Sequence, residues 1–209
     1  MKTNSAGGQQ RPLKPWRNIC AGCALLVTGV LLPETGGAVS IYVHGNLVDG
    51  TCEVTLVSNP EIDMGKHVLD EFTDNAGTAS ITSIALWLDN CNNVNAGQGA
   101  VGLKVTGSTL SGESTIFNND PTDEVGFMLR ENGVSSREVQ PWTGAIQNFW
   151  DKANAVSNNT VTFSGVDPTV QEGIILNYGV GFVSKSQTVK PADPQKTVSA
   201  SLTFTFNYQ

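Results

Sequence analysis

The stretch "VSASLTFTFNYQ", residues 198–209, decides the fold class. Apolar or aromatic residues alternate strictly with polar ones. The first set is Leu202, Phe204, Phe206 and Tyr208, and the second is Thr203, Thr205 and Asn207. Successive side chains of a β-strand point to opposite faces, so this pattern is typical of a strand with one buried face. We therefore predict a β-strand that continues to the end of the sequence.

The same alternation recurs upstream, for example in "TCEVTLV", "ASITSIALWLDNC", "AVGLKVTG" and "EVGFMLRENGV". In "EVGFMLRENGV" the inward positions are Val125, Phe127 and Leu129, and Asn132 with Gly133 indicates a two-residue hairpin turn. A helical pattern is weak and confined to residues 144–156, where Ile146, Phe149 and Trp150 could share a side. About eight short strands, separated by turn-forming residues, predict an all-β sandwich.

The first 38 residues differ from the rest. A basic stretch precedes "ICAGCALLVTGVLL", a run of fourteen apolar or small residues, and further small residues follow. This is the layout of a secretory signal peptide. The run is shorter than the roughly 20 residues that a membrane-spanning helix needs. We expect residues 1–38 to be removed, with cleavage between residues 29 and 38. The sortase-like "LPETG" at residues 32–36 then occurs there by chance.

Composition excludes some partners and predicts one cross-link. The whole chain has 12 Lys and Arg against 19 Asp and Glu. Four of those basic residues and one acidic residue precede position 39, so the remainder has a net charge of −10. Nucleic acids and anionic membranes are therefore unfavourable partners. Cys20 and Cys23 leave with the leader, so Cys52 and Cys91 are expected to form a disulfide, which stabilises by about 4 kcal/mol on a chain-entropy model.

Catalytic and metal-binding patterns are weak. His44 and His67 are the two histidines, neither has a second histidine at ligand spacing, and we expect both to be solvated. Asp120, Asp123 and Glu124 match a calcium loop only in part, so a solvated turn is the better interpretation. We predict no enzyme activity, no cofactor and no metal.

Three aromatic residues, Trp142, Phe149 and Trp150, could form a platform on which a sugar stacks. Aromatic residues this near one another more often pack in a core, and we favour packing.

A second informative stretch is "VSIYVHGNLV", just before Cys52, which places Val39, Ile41, Val43 and Gly45 on one face. A strand of this kind beside an open sheet edge causes association unless it is paired. Strand addition between chains makes use of such pairing.

With these features the chain resembles subunits of bacterial chaperone–usher fimbriae of the type 1 pilin-like class. The resemblance rests on "GNLVDGTCEVTLVS", "ITSIALWLDNC", "VGFMLRENG", "ILNYGVGFVS" and the terminal "ASLTFTFNYQ". It implies an incomplete immunoglobulin-like sandwich at residues 49–209, preceded by a donor-strand arm at residues 39–48. The donor positions would be Val39, Ile41, Val43 and Gly45. The groove and chaperone-contact strand would present Leu202, Phe204, Phe206 and Tyr208.

The partners implied are neighbouring pilin subunits, with a periplasmic chaperone and an outer-membrane usher during assembly. The protein would then pass through the periplasm to a surface fimbria and support adhesion. The family often has a glycine near the start of the final strand, whereas this sequence has "KPADPQKT" in that stretch. It also leaves open whether this is a shaft or an adaptor subunit. The alternative is a free-standing secreted β-sandwich that binds carbohydrate through Trp142, Phe149 and Trp150.

Overall fold

The computed structural model describes residues 39–46, 52–91, 101–166, 173–192 and 196–208. The leader, its cleavage sites and "LPETG" lie outside the described residues, as do Leu47, Val48 and Gln209. The elements in chain order are strands β1 (Val39–Asn46), β2 (Glu53–Leu56) and β3 (Glu61–Asp63), helix α1 (Leu69–Asp74), and strands β4 (Thr78–Asp89), β5 (Val101–Gly107), β6 (Ile116–Phe117), β7 (Val125–Ser135), β8 (Thr160–Val166), β9 (Ile174–Ser184) and β10 (Val198–Tyr208).

The strands form two sheets that face each other. Sheet A has the order β3-β1-β10-β5-β8, and sheet B has the order β2-β4-β9-β7-β6. The inner faces meet in one apolar core, which includes Leu86, Phe127, Leu176, Tyr178 and Phe204. The predicted all-β sandwich is therefore confirmed, with more strands in the described residues than the sequence pattern indicated.

The prediction of a hairpin at Asn132 and Gly133 is wrong. Strand β7 runs through both residues and stays paired with β9, with a bulge between Glu131 and Val134. Gly133 has φ of +92°, a conformation that glycine adopts at little cost and that a bulge also requires. The turn-forming residues here shift the register of one long strand.

The sequence showed only a weak helical pattern, and the helices among the described residues are short. Helix α1 has six residues and buries Phe72, while Asp70 and Glu71 lie in its first turn, where the helix dipole favours negative charge. The window at residues 144–156 contains a 3₁₀ turn at Ile146–Asn148 instead of an α-helix. No helix in the described part of the chain has the length and apolarity to cross a membrane.

Candidate functional site

The terminal strand β10 has the two-faced character that its sequence predicts. The side chains of Val198, Ala200, Leu202, Phe204 and Phe206 are at most 8% exposed. The residues between them are half-buried. The backbone of Tyr208 pairs with that of Val101 in β5. The buried face of β10 is therefore apolar, and we call it the floor. Strand β5 pairs with one edge of β10, so the other edge can pair with another strand.

Strand β1 of the same chain occupies that edge. It runs parallel to β10 over eight paired positions, from Val39 opposite Val198 to Asn46 opposite Thr205. The four positions predicted as donors, Val39, Ile41, Val43 and Gly45, are in register with four buried residues of β10, Val198, Ala200, Leu202 and Phe204. We call the space between β3 and β10, which β1 fills here, the groove.

Strand β3 is the outer wall of the groove. Its three residues pair antiparallel with β1, with Ile62 opposite Ile41, and β1 is the strand that joins β3 to the rest of sheet A. Ile62 packs against the core, whereas Glu61 and Asp63 are exposed. Charged side chains on a short edge strand discourage unwanted pairing. The wall is therefore joined to the rest of sheet A through β1.

The floor of the groove is anchored by a buried tyrosine. The ring of Phe204 lies 5.4 Å from the ring of Tyr178, between centroids. The hydroxyl groups of Tyr178 and Thr162 are 2.7 Å apart, and Thr162 also donates to the carbonyl oxygen of Leu103 at 3.0 Å. Burial raises the pKa of Tyr178. The phenol therefore stays neutral and serves as a fixed packing element.

Sequence reasoning missed one residue of the site, Asn119, which supports β10 before its pairing with β5 begins. Its Nδ2 donates to Ser199 Oγ at 3.2 Å and its backbone N–H donates to the carbonyl oxygen of Ser199 at 2.8 Å. Its Oδ1 accepts from the backbone N–H of Ser201 at 3.1 Å. A lone asparagine in a polar loop gives no periodic signal, so only the tertiary contact reveals this support.

The nearby carboxylates have structural partners. Asp123 is 5% exposed, and its Oδ1 lies 2.8 Å from Nζ of Lys196. Asn118 donates to Asp123 Oδ2 at 3.1 Å. The pKa of Asp120 is lowered, chiefly by the hydrogen bond from the Thr122 hydroxyl. No group of three or more potential metal ligands occurs among the described residues.

Cys52 and Cys91 form the expected disulfide. It joins the residue before β2 to the segment after β4, and Cys52 follows Asn46, the last residue of β1, by six positions in the chain. The cross-link therefore fixes the domain close to the point where β1 is attached.

The three candidate sugar-binding aromatics pack against the outer face of sheet B. We call residues 136–156, which lie between β7 and β8 in the chain, the strap. Phe149 is fully buried with Leu110, Ile116, Met128 and Val183, and Trp142 and Trp150 pack against this second cluster. The rings of Trp142 and Phe149 meet edge to face at 4.9 Å. This agrees with the packing interpretation that the sequence favoured.

Hydrogen bonds hold the strap in place. The backbone N–H of Trp142 donates to Ser83 Oγ at 2.7 Å, and Trp150 Nε1 donates to the carbonyl oxygen of Ser184 at 2.8 Å. The Arg130 guanidinium carbon lies 5.0 Å from the centre of the Trp142 ring. The strap is thus a fixed cover over the sheet.

Comparison with known proteins identifies the class. A family model described as "Fimbrial protein" matches residues 41–209. A subunit in the structure of a chaperone–usher pilus that concerns rod uncoiling is 20% identical, with a TM-score of 0.51 over 79% of this chain and 92% of that one.

Two further structures are similar. The P pilus rod subunit PapA is 18% identical, with a TM-score of 0.49 over 78% of this chain and 96% of that one. An antigen and type I fimbria protein of Burkholderia pseudomallei is 17% identical, with a TM-score of 0.42 over 83% of this chain and 94% of that one.

The likeness to the chaperone–usher pilus subunit shows the fold, an incomplete immunoglobulin-like sandwich. The match over residues 41–209 shows that this chain belongs to the fimbrial protein family. It is a structural subunit of a surface pilus, of a kind that polymerises with other pilin subunits, and its family is not enzymatic.

Proposed function

We propose that these subunits join by donor-strand exchange, in which the arm of one subunit, residues 39–48, enters the groove of the next subunit's domain, residues 49–209. The observation that carries this proposal is the position of β1 between β3 and β10. A segment at the beginning of the domain fills a groove that the rest of the sandwich leaves open.

The groove requires a strand for two physical reasons. Without β1, the facing edges of β3 and β10 would expose backbone N–H and C=O groups that have lost their partners. The buried floor, with Ala200, Leu202 and Phe204 each at 0% exposure, would also lose its cover. Each Val or Ile side chain buried there contributes about 1.5–3 kcal/mol, so any suitable strand would be strongly held.

The length of the linker determines the direction of the arm within its own chain. Residues 47–52 connect Asn46, which lies opposite Thr205 near the end of β10, to Glu53, the first residue of β2. Reversing the arm would move Asn46 about 23 Å to the other end of the groove. That distance needs almost the full extension of the linker. The short linker therefore favours the parallel direction.

The arm of a neighbouring subunit has no such restriction and can enter antiparallel. Antiparallel pairing is slightly more stable per residue than parallel pairing. Exchange between subunits then replaces a parallel strand by an antiparallel one, which favours the polymer.

The other assembly partners follow from the same groove. A subunit whose arm is free has an exposed apolar groove, and such a surface promotes aggregation. A periplasmic chaperone that lends a strand would protect it, and an outer-membrane usher would direct its replacement by the next arm. The leader would export the chain to the periplasm, and the finished fimbria would support adhesion at the cell surface.

The test uses a chain that starts at Leu47 and two synthetic peptides. The peptide of residues 39–48 should bind this chain and restore its cooperative thermal unfolding. The control peptide carries Ile41→Asp and Val43→Asp, and it should not bind because it would bury two carboxylates. Equal binding of both peptides, or of neither, would contradict the proposal.

A further inference from the structure

His67 holds the connector between the groove wall and helix α1. Its side chain is 13% exposed, so the expectation of a solvated histidine is wrong. Its Nδ1 lies 2.6 Å from Glu71 Oε2, and its Nε2 lies 2.8 Å from the carbonyl oxygen of Met64. Met64 directly follows β3, so one imidazole ring joins the end of the wall to the first turn of α1.

The chemistry of these two contacts determines how many protons the His67–Glu71 pair must hold. A backbone carbonyl oxygen only accepts hydrogen bonds, and an ionised carboxylate also only accepts. A neutral imidazole has one N–H, so it can donate to only one of the two partners. Both contacts are satisfied when the His67–Glu71 pair holds one more proton, as imidazolium with carboxylate or as imidazole with carboxylic acid.

We propose that His67 and Glu71 form a proton-dependent latch that fastens β3, the outer wall of the groove, to α1. Helix α1 is itself fixed, because Phe72 is buried and its ring meets that of Phe182 edge to face at 5.1 Å. The His67 ring also lies 5.6 Å from the ring of Phe182. The latch therefore ties the three-residue wall to the core of sheet B.

Other charged groups near the latch have their own partners. On α1, Asp70 pairs with Lys190. At the end of β3, Asp63 Oδ1 accepts from the backbone N–H of Gly65 at 2.8 Å. Lys66 is exposed beside His67, and β9 presents the apolar ring of Phe182. Among the described contacts, Glu71 is the charged group that bonds to the imidazole.

The two hydrogen bonds of His67 determine whether the latch is closed at low or at high pH. In the proton-bound state both contacts form, so the latch is closed on the acidic side. When pH rises and the proton leaves, a lone pair of Nδ1 faces the carboxylate or the bond to Met64 is lost. The wall then loosens, and a strand leaves the groove more readily. This last consequence rests on the proposed strand exchange, whereas the latch itself is a property of the single chain.

Glu71→Gln provides the decisive variant. A Gln amide can donate its N–H to Nδ1 of a neutral imidazole, while Nε2–H donates to Met64, so both contacts form without the extra proton. Asp70→Asn is the matched control, since it removes an exposed carboxylate from the same turn of α1 and leaves both contacts of His67 intact.

The measurement is the hydrogen-exchange protection factor of the β3 amides in the mature chain, between about pH 5 and about pH 8. For the native chain and Asp70→Asn, we expect protection to fall about tenfold across this range, because one charge-assisted hydrogen bond is lost. For Glu71→Gln we expect constant protection. A native chain with constant protection, or a Glu71→Gln variant that keeps the full decrease, would overturn the latch.

A second readout separates the latch from strand exchange. The release of β1 is measured through the capture of a labelled peptide of residues 39–48. We expect this release to be about tenfold faster at the higher pH in the native chain. Absence of capture at every pH would contradict strand exchange, while the protection factors would still decide the latch. Nitrogen-15 spectra of His67 at the lower pH should show both ring nitrogens in hydrogen bonds, Nδ1 with Glu71 and Nε2 with the carbonyl oxygen of Met64.

Discussion

Two regions of this subunit cover apolar surface in different ways. Strand β1 covers the edge of β10 by backbone pairing along a regular register, and it continues into the domain through the short segment 47–52. The strap covers the outer face of sheet B and continues at both ends into the sandwich, through β7 and β8. Side chains of named residues, among them Trp142, Phe149 and Trp150, hold the strap in place.

The difference bears on the proposed strand exchange. Backbone pairing accepts any strand with the right alternation, which is what the proposed replacement of β1 by a neighbour's arm requires. The strap is held by the packing of particular side chains, such as the Phe149 ring against Gly181. A Cβ atom added at Gly181 would lie 2.2 Å from that ring.

Removal of residues 39–46 should have the largest effect. We expect a chain that starts at Leu47 to lose cooperative thermal unfolding, because each apolar arm position contributes about 1.5–3 kcal/mol when buried and total stability is only about 5–15 kcal/mol. Attaching residues 30–48 after Gln209 through a flexible linker should restore it. If the shortened chain melts like the native one, the sandwich is complete without the arm.

Phe149→Ala should come next, because the ring is fully buried under the strap. We expect a loss of about 3–5 kcal/mol in the free energy of unfolding, measured by denaturant titration. Val189→Ala is the control, since Val189 is 63% exposed and should change little. A loss below about 1 kcal/mol for Phe149→Ala would mean that the strap is a loose cover.

Replacing Cys52 and Cys91 by serine should cost about 2–5 kcal/mol, mainly by freeing the unfolded chain. Denaturant titration measures this loss in the free energy of unfolding. The native chain, titrated under oxidising and under reducing conditions, provides the comparison. The effect should be similar with and without the strap substitution Phe149→Ala, because the disulfide lies at the other region. Strong non-additivity would show that the two regions are coupled.

Gly181→Ala tests the fit of the strap on a smaller scale. The new methyl group meets the Phe149 ring, so we expect a loss of about 1–3 kcal/mol from overpacking. The double variant with Phe149→Ala should recover most of that loss. Additive losses in the double variant would contradict the contact.

Asp151→Asn should have the smallest effect. The pKa of Asp151 is lowered, first by the hydrogen bond from the Asn154 side chain. A lowered folded-state pKa gives stability that is present above the unfolded-state pKa and is lost as pH falls through the folded-state value. The native chain should therefore lose slightly more stability on acidification than Asp151→Asn, in denaturant titrations at several acidic pH values. An identical acid dependence would show that this carboxylate does not hold the strap.

Several elements could be predicted from local pattern. The alternation of Leu202, Phe204 and Phe206 identified the inward face of β10, and the two cysteines that remain after the leader had a single possible pairing. The arm positions were recognisable for the same reason, since period-two alternation is a property of neighbouring residues. Their role as a donor strand remains a proposal.

Other features depend on contacts between distant segments. His67 was expected to be solvated, and only the fold brings Glu71 and the carbonyl oxygen of Met64 to its two nitrogens. Asn132 and Gly133 indicated a hairpin, but pairing with β9 outweighed the local preference for a turn.

The sequence by itself determined that this protein is an all-β sandwich with an alternating strand at each end of residues 39–208, because burial of one strand face leaves a period of two in the residues. The tertiary structure alone decided that the first of these strands lies parallel to the last within the same chain. Strand direction and strand neighbours depend on linker length and on the packing of the two sheets. The side-chain period is identical for a parallel and an antiparallel neighbour, so no local pattern records the choice.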